Sequence, residues 1–326
     1  MLVILAHSFE LIGLEYPIKA MYTFAPGPIG VMIFFSLSGY LVAKSWDSDP
    51  NIVRFFHRRA LRIFPAIIVC TLMTILILGL FFSTLSLIDY MQHEVTRTYL
   101  LNCALYIQFF LPGVFETTPY PDAVNGSLWT LPIEFSCYVI IGLTMFLFKR
   151  TYIVIFLAVG FWVISLNQYY FELFWNRWIS DSFVIYASDL RYVLKYGAYF
   201  FVGACIAFFR LERFLNWGVI ILAAILLIPF KQFAYAPILL PIVIIGLGIR
   251  AVTRPFQWTL RTDYSYGIYI YAFPVQQALA SIDPMMPWAL AFSLTIIVTT
   301  IFAAVSWHLI EKPALSFKPR TLPTAG

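Results

Sequence analysis

Ten apolar runs, each close to the length of a membrane-crossing helix, punctuate this chain and leave room for little else. They fall at about 1–15, 27–45, 65–84, 127–148, 151–167, 190–209, 214–230, 234–250, 264–281 and 288–310. A helix needs about 20 apolar residues to cross a hydrocarbon core of about 30 Å. Within lipid, every backbone polar group must also be satisfied inside the protein. Of the 326 residues, 61% are hydrophobic and 11% charged, where a soluble domain carries about 25% charged residues. A soluble fold of this size could not cover so much apolar surface. The sequence predicts an all-α polytopic transmembrane helix bundle of about ten spans, one membrane-embedded domain over 1–326. A further stretch, 99–112 (YLLNCALYIQFFLP), is too short to cross and is expected to be re-entrant or interfacial.

The net charge of +5 is no nucleic-acid signal here, because what matters is where the bases sit. With the side reached after the second span taken as inside, 15 of the 21 lysines and arginines fall inside, from Lys44 to Arg320. Six fall outside: Lys19, Arg97, Arg177, Arg191, Lys195 and Lys231. Inside is therefore expected to be the cytoplasm, with both termini there. The first span would run outward and end near Glu15–Pro17, and counted from Met1 it is too short to cross, so either the start lies upstream, the favoured expectation, or this helix is unusually short. Cys70, Cys103, Cys137 and Cys205 stand singly, with no CxxC and no histidine at ligand spacing, and predict buried thiols and no metal site.

Ionisable residues at membrane depth are costly and point to function. His7 would lie roughly 12–15 Å below the outer end of the first helix, with Glu10 on the same face at i+3. It reads as a general base or as a polar residue joining two helices. Glu134, in NGSLWTLPIEFSCYV, falls about two turns into its helix, beyond a turn at Asn125-Gly126 and an expected N-cap at Ser127. Tyr138 shares its face at i+4. In VRFFHRRALRIFP, Arg54, Arg58 and Arg62 recur at i, i+4 and i+8 beside Arg59. Guanidinium forks suit phosphate oxygens, although such a run also serves as ordinary positive-inside anchoring. GVMIFFSLSGYL places Gly30, Ser36, Ser38 and Gly39 in the second helix, which permits close helix approach. Tyr266, Tyr269 and Phe273 line one face of DYSYGIYIYAFPV.

Taken in order, these segments resemble the acyltransferase-3 family, polytopic membrane enzymes that O-acylate sugars of surface polysaccharides and related molecules. The resemblance runs almost end to end: His7 in the first helix, GVMIFFSLSGYL, RRALRIFP, NGSLWTLPIEFSCY, SYGIYIYAFP and finally EKP at Glu311–Pro313. It implies an O-acetyltransferase with His7 as its essential first-helix histidine, Arg59 and Arg62 serving the acyl-CoA donor, and Trp129 and Glu134 in a family segment. Three positions depart from the pattern. The base that precedes the histidine with ten residues between would fall ahead of Met1, an acid often found after Gly-Val is Met32, and a histidine common in the fifth segment is Ala272.

The expected reaction moves an acyl group, acetyl first among them, from cytoplasmic acyl-CoA to a carbohydrate or lipid-linked sugar hydroxyl at the outer side. His7 and Glu134 are the expected catalytic pair. Arg58, Arg59 and Arg62 would hold the CoA phosphates, with the pantetheine arm passing the small-residue face that includes Ser38. Trp129 and Tyr138 would meet the acceptor. No bound cofactor and no nucleic-acid partner are expected. Direct transfer and a covalent acyl-histidine both fit. The rival class is a transporter or flippase of lipid-linked sugar, which would need no CoA site.

Overall fold

The computed structural model describes residues 1–11, 13, 26–121, 123–170, 184–186, 188–228, 234–251 and 262–318. The expected end of the first span at Glu15–Pro17 lies outside them, as do Lys19, Arg177, Lys231, Arg254, Arg261 and Arg320. Among the described residues the helices of nine or more residues are α1 (Leu2–Glu10), α2 (Pro26–Ser48), α3 (Ile52–Met73), α4 (Thr130–Phe148), α5 (Ile153–Tyr170), α6 (Leu190–Phe208), α7 (Trp217–Leu227), α8 (Ala236–Ala251), α9 (Ser265–Ile282) and α10 (Trp288–Ser306). Among the described residues the one pair of strands is a two-residue ladder, Val184–Ile185 with Ser188–Asp189.

These helices answer the ten apolar runs, but among the described residues four continuous stretches are long and apolar enough to cross a bilayer: Pro26–Ser48, Ile52–Phe82, Gly126–Phe148 and Trp288–Ser316. The apolar cores of α5, α7 and α8 are shorter. The polar residues of α6 and α9, such as Arg191, Lys195, Gln276 and Gln277, dilute their hydropathy. The chain is thus a helical membrane protein in which ten independent spans are not established.

Several boundaries move. α1 ends at Glu10, and the Gly13 N–H donates to Glu10 O (3.2 Å) at a φ of +69°, a left-handed conformation suited to glycine. His7 sits in the last turn of α1. The basic run is not a connection ahead of a span at 65; it forms the first turns of α3. Asn51 caps that helix, its Oδ1 accepting from Arg54 N–H at 3.0 Å. Ahead of α4, the cap of the Gly126–Trp129 turn is Asn125 and not Ser127, since Asn125 Oδ1 accepts from Ser127 N–H.

The chain divides into two compact units. The first comprises Met1–Gly27, Ala60–Leu131 and Thr259–Lys318. Here α9 packs against α10 and α1. Pro274 inside α9 has no N–H to offer the Ile270 carbonyl four residues back. Asn125 Nδ2 supplies that missing donor at 2.9 Å, helped by the Cys70 thiol at 3.5 Å. A proline in an apolar helix thereby fastens the NGSLW turn. Between Thr74 and Gly79, α3 continues through a π turn, where the Tyr90 hydroxyl donates to Ile75 O at 3.0 Å. A Cβ at Gly79 would lie 1.8 Å from that hydroxyl. Tyr90, Tyr99, Leu111, Val114, Phe115 and Val124 close a small core with Ile75. The 99–112 stretch holds a 3-10 turn, Tyr99–Ala104, and then leaves helical structure at Leu105 (φ 62°).

The second unit is built mainly from Pro28–Arg59 and Pro132–Trp258. In it α6 packs on α5 and α8, and α7 on α8. α2 and α6 touch backbone to backbone. A Cβ on Gly39 would fall 1.9 Å from Phe200 O, and one on Gly203 would fall 2.2 Å from Ser36 O. The small-residue face around Ser36–Gly39 is thus the seat of a close approach by α6.

Candidate active site

His7 Nδ1 stands 3.2 Å from Glu10 Oε2. Its ring meets Phe273 edge to face, centroids 5.1 Å apart. Phe273 is itself packed with Leu11 and Ala123 and lies over Gly126, where any Cβ would come within 2.7 Å of the ring. The glycine of NGSLW therefore makes the room that the Phe273 ring occupies. Two further hydrogen bonds fix α1: Gln276 Nε2 donates to Ile4 O, and Trp288 Nε1 donates to Ser8 Oγ, each at 3.0 Å. The imidazole is thus mounted on a short helix anchored from α9 and α10, with its side chain 20% exposed.

Ser38, Glu134 and Tyr138 form a buried group in the second unit. Ser38 Oγ donates to Glu134 Oε1 at 3.0 Å and lies 3.2 Å from the Tyr138 hydroxyl, which donates to the same carboxylate oxygen. All three are under 9% exposed. A carboxylate removed from water needs such donors. The Glu134–Tyr138 spacing was readable in the sequence; the partnership with Ser38, 96 residues earlier, was not. The Arg59 guanidinium stands 5.7 Å from the Tyr138 ring centroid. Residues expected to divide among base, donor and acceptor roles thus come together.

The arginines part company. Arg58 is spent on Asp49: Nη1 donates to Oδ2, and Nη2 to the Asp49 and Ser45 carbonyls. Arg62 pairs with Asp263 at 2.8 Å and with buried Glu311 at 3.5 Å, over the Tyr266 ring. Burial pushes Asp263 up, but Arg62 and the Ser265 hydroxyl and N–H outweigh it, and its carboxyl titrates below the ordinary range. Arg59 keeps one long bond, 3.4 Å to Ser45 Oγ, and its buried Nε has no acceptor among the described residues. Of the three, Arg59 has the most donors left for an anion. Trp129, half-buried, ends the Gly126–Trp129 turn. Tyr269 secures that turn by donating to Ser127 O and bonding Thr130 Oγ1.

Phe273, Gln276 and Asp49 were missed as supports. Their signals were a proline one residue after Phe273, an amide in an apolar helix, and an acid five and nine residues ahead of two arginines.

Residues 1–308 match a family model described as an acyltransferase domain, that of acyltransferase-3. The chain belongs to this family. It is 31% identical to an O-acetyl transferase of Shigella phage Sf6, over 97% of this chain and 93% of the phage protein. It is 27% identical to Nodulation protein 10 of Rhizobium leguminosarum bv. viciae, over 97% and 90%. With a putative peptidoglycan O-acetyltransferase of Bacillus subtilis, YrhL, it shares 26% identity over 88% of this chain and 50% of that protein. No solved structure matches. As an acyltransferase-3 member the chain is an acyltransferase, and its relatives support O-acetyl transfer; the transporter reading falls. His7, Arg59, Arg62, Trp129 and Glu134 all lie within the matched residues.

Proposed function

We propose that this acyltransferase moves an acetyl group from cytoplasmic acetyl-CoA to a carbohydrate hydroxyl at the outer face of the bacterial inner membrane, with both termini cytoplasmic. His7 is the general base. The observation that carries this is the His7 imidazole itself, partly exposed and braced by Phe273 on a helix pinned from two sides. Its nitrogen takes the acceptor hydroxyl's proton as that oxygen attacks the thioester carbonyl. The C–O bond forms, the C–S bond breaks, and the departing CoA thiolate receives the proton from the imidazolium. General-base catalysis of this kind contributes about 10²–10⁴-fold.

Arg59, with donors unspent, binds a CoA phosphate, and Arg62 would have to exchange a carboxylate partner to bind one. Arg58, committed to Asp49, serves structure instead. Ser38, Glu134 and Tyr138 form a buried polar support beneath Arg59, and Trp129 offers a ring face to the acceptor sugar.

Incorporation of radiolabelled acetyl from acetyl-CoA into lipid or polysaccharide of isolated membranes tests the reading. A normally folded His7→Ala variant should lose about 10²–10⁴-fold in rate, and equal incorporation by parent and variant would remove His7 from the chemistry. Arg59→Gln should raise the apparent KM for acetyl-CoA about tenfold or more, the scale of one charge-assisted contact. An unchanged KM would place the CoA phosphates elsewhere.

A further inference from the structure

We propose that Glu10 is a positioning residue for His7, holding its imidazole in the Nδ1–H tautomer so that Nε2 carries the lone pair that removes the acceptor's proton. This rests on the reading of His7 as the base.

The argument starts from an unfavourable placement. Glu10 is the last residue of α1, where the unsatisfied carbonyls make the negative end of the helix and a carboxylate is repelled. At 56% exposure its side chain is largely uncovered by protein, so packing gives no reason for it. Helix stability therefore gives no reason for an acid at this position. Its distance to His7 gives one. Nδ1 and Oε2 are 3.2 Å apart, and an ionised carboxylate only accepts. The proton between them therefore belongs to Nδ1, and in a neutral imidazole that assigns the lone pair to Nε2.

The Phe273 edge contact limits rotation of the same ring. Carboxylate and phenyl ring together define both the tautomer and the plane of the imidazole. When the ring accepts the acceptor's proton at Nε2, the carboxylate faces the resulting imidazolium and stabilises it. This is the division of labour seen wherever a carboxylate orients a catalytic histidine.

The experiment uses the full chain with ¹⁵N-labelled histidine in nanodiscs, together with acetyl transfer in membranes at matched protein levels. The His7 ring signals are identified by their loss in His7→Ala. The parent should show Nδ1 protonated and Nε2 bare. Glu10→Ala should shift the ring toward the opposite tautomer, lower the apparent kcat by about 10- to 100-fold, and leave the KM for acetyl-CoA and the thermal midpoint unchanged. Glu10→Asp should recover part of the rate. A Glu10→Ala protein that keeps the parent's kcat, or keeps the Nδ1–H signature, overturns the inference while leaving His7 as base. If His7→Ala itself stays active, the underlying reading fails instead, and Glu10 has no base to position. Should Glu10→Ala not fold, Glu10→Leu, which offers no acceptor to Nδ1, carries the same two readouts.

Discussion

Asp49 sits in the three-residue link between α2 and α3 and accepts hydrogen bonds from two guanidinium groups. Those bonds, Arg54's first and then Arg58's, hold its carboxyl down at about 2. Unfolded, it would titrate near 3.9. The folded value is the lower one, so the clamp's contribution is complete above about pH 4 and disappears as pH falls toward 2. The unfolding midpoint in detergent should therefore drop across that window in the parent and stay flatter in Asp49→Asn. At neutral pH, Asp49→Ala strands the buried Arg58 charge and should cost about 3–5 kcal/mol, read as a lower thermal midpoint. A variant with the parent's stability at both ends of the window would show that the clamp is idle. At this scale the sequence was half legible. His7, Glu134 and the arginines stood out because charge is rare in apolar runs, but which arginine was already taken depended on Asp49, an acid in a link that looked like any solvated loop residue.

Helices were easier to read than their ends. Hydropathy located α4 and α9 to within a few residues, since an apolar stretch of that length has few other uses. Hydropathy also set α3 too late, because the basic run lowers the average while its arginines keep perfectly good helix propensity. The seam of α2 and α6 makes a sharp prediction. Gly39→Ala or Gly203→Ala puts a methyl into a backbone carbonyl. Each should cost about 1–3 kcal/mol or more by overpacking and broaden the protein's peak on size-exclusion in detergent. Gly160→Ala in α5 and Gly248→Ala in α8 meet nothing within 4 Å and should be neutral or stabilising by about 0.5–1 kcal/mol. All four behaving alike would mean that the seam is loose. Small residues in GVMIFFSLSGYL announced a close approach; nothing in the sequence named α6 as the helix that makes it.

For the whole molecule, the class was legible from the apolar runs alone, because lipid permits so few backbone arrangements. The count of spans was not, since α6 and α9 carry polar side chains that packing, not hydropathy, accommodates. The proposed orientation is testable directly. A membrane-impermeant maleimide added to intact cells should label Thr117→Cys in the outer segment and spare Ser316→Cys until the cells are opened; the reverse pattern would invert the topology. The α2–α6 seam has one more consequence, and it concerns time. Gly39 leaves the ribosome about 160 residues before Phe200, which at about 5–20 residues per second is a wait of roughly 8–32 s. During that interval a helix with a bare glycine face stands in the membrane without its mate. Any translational pause or membrane chaperone that guards newly inserted helices would matter to this protein early, long before its chemistry begins.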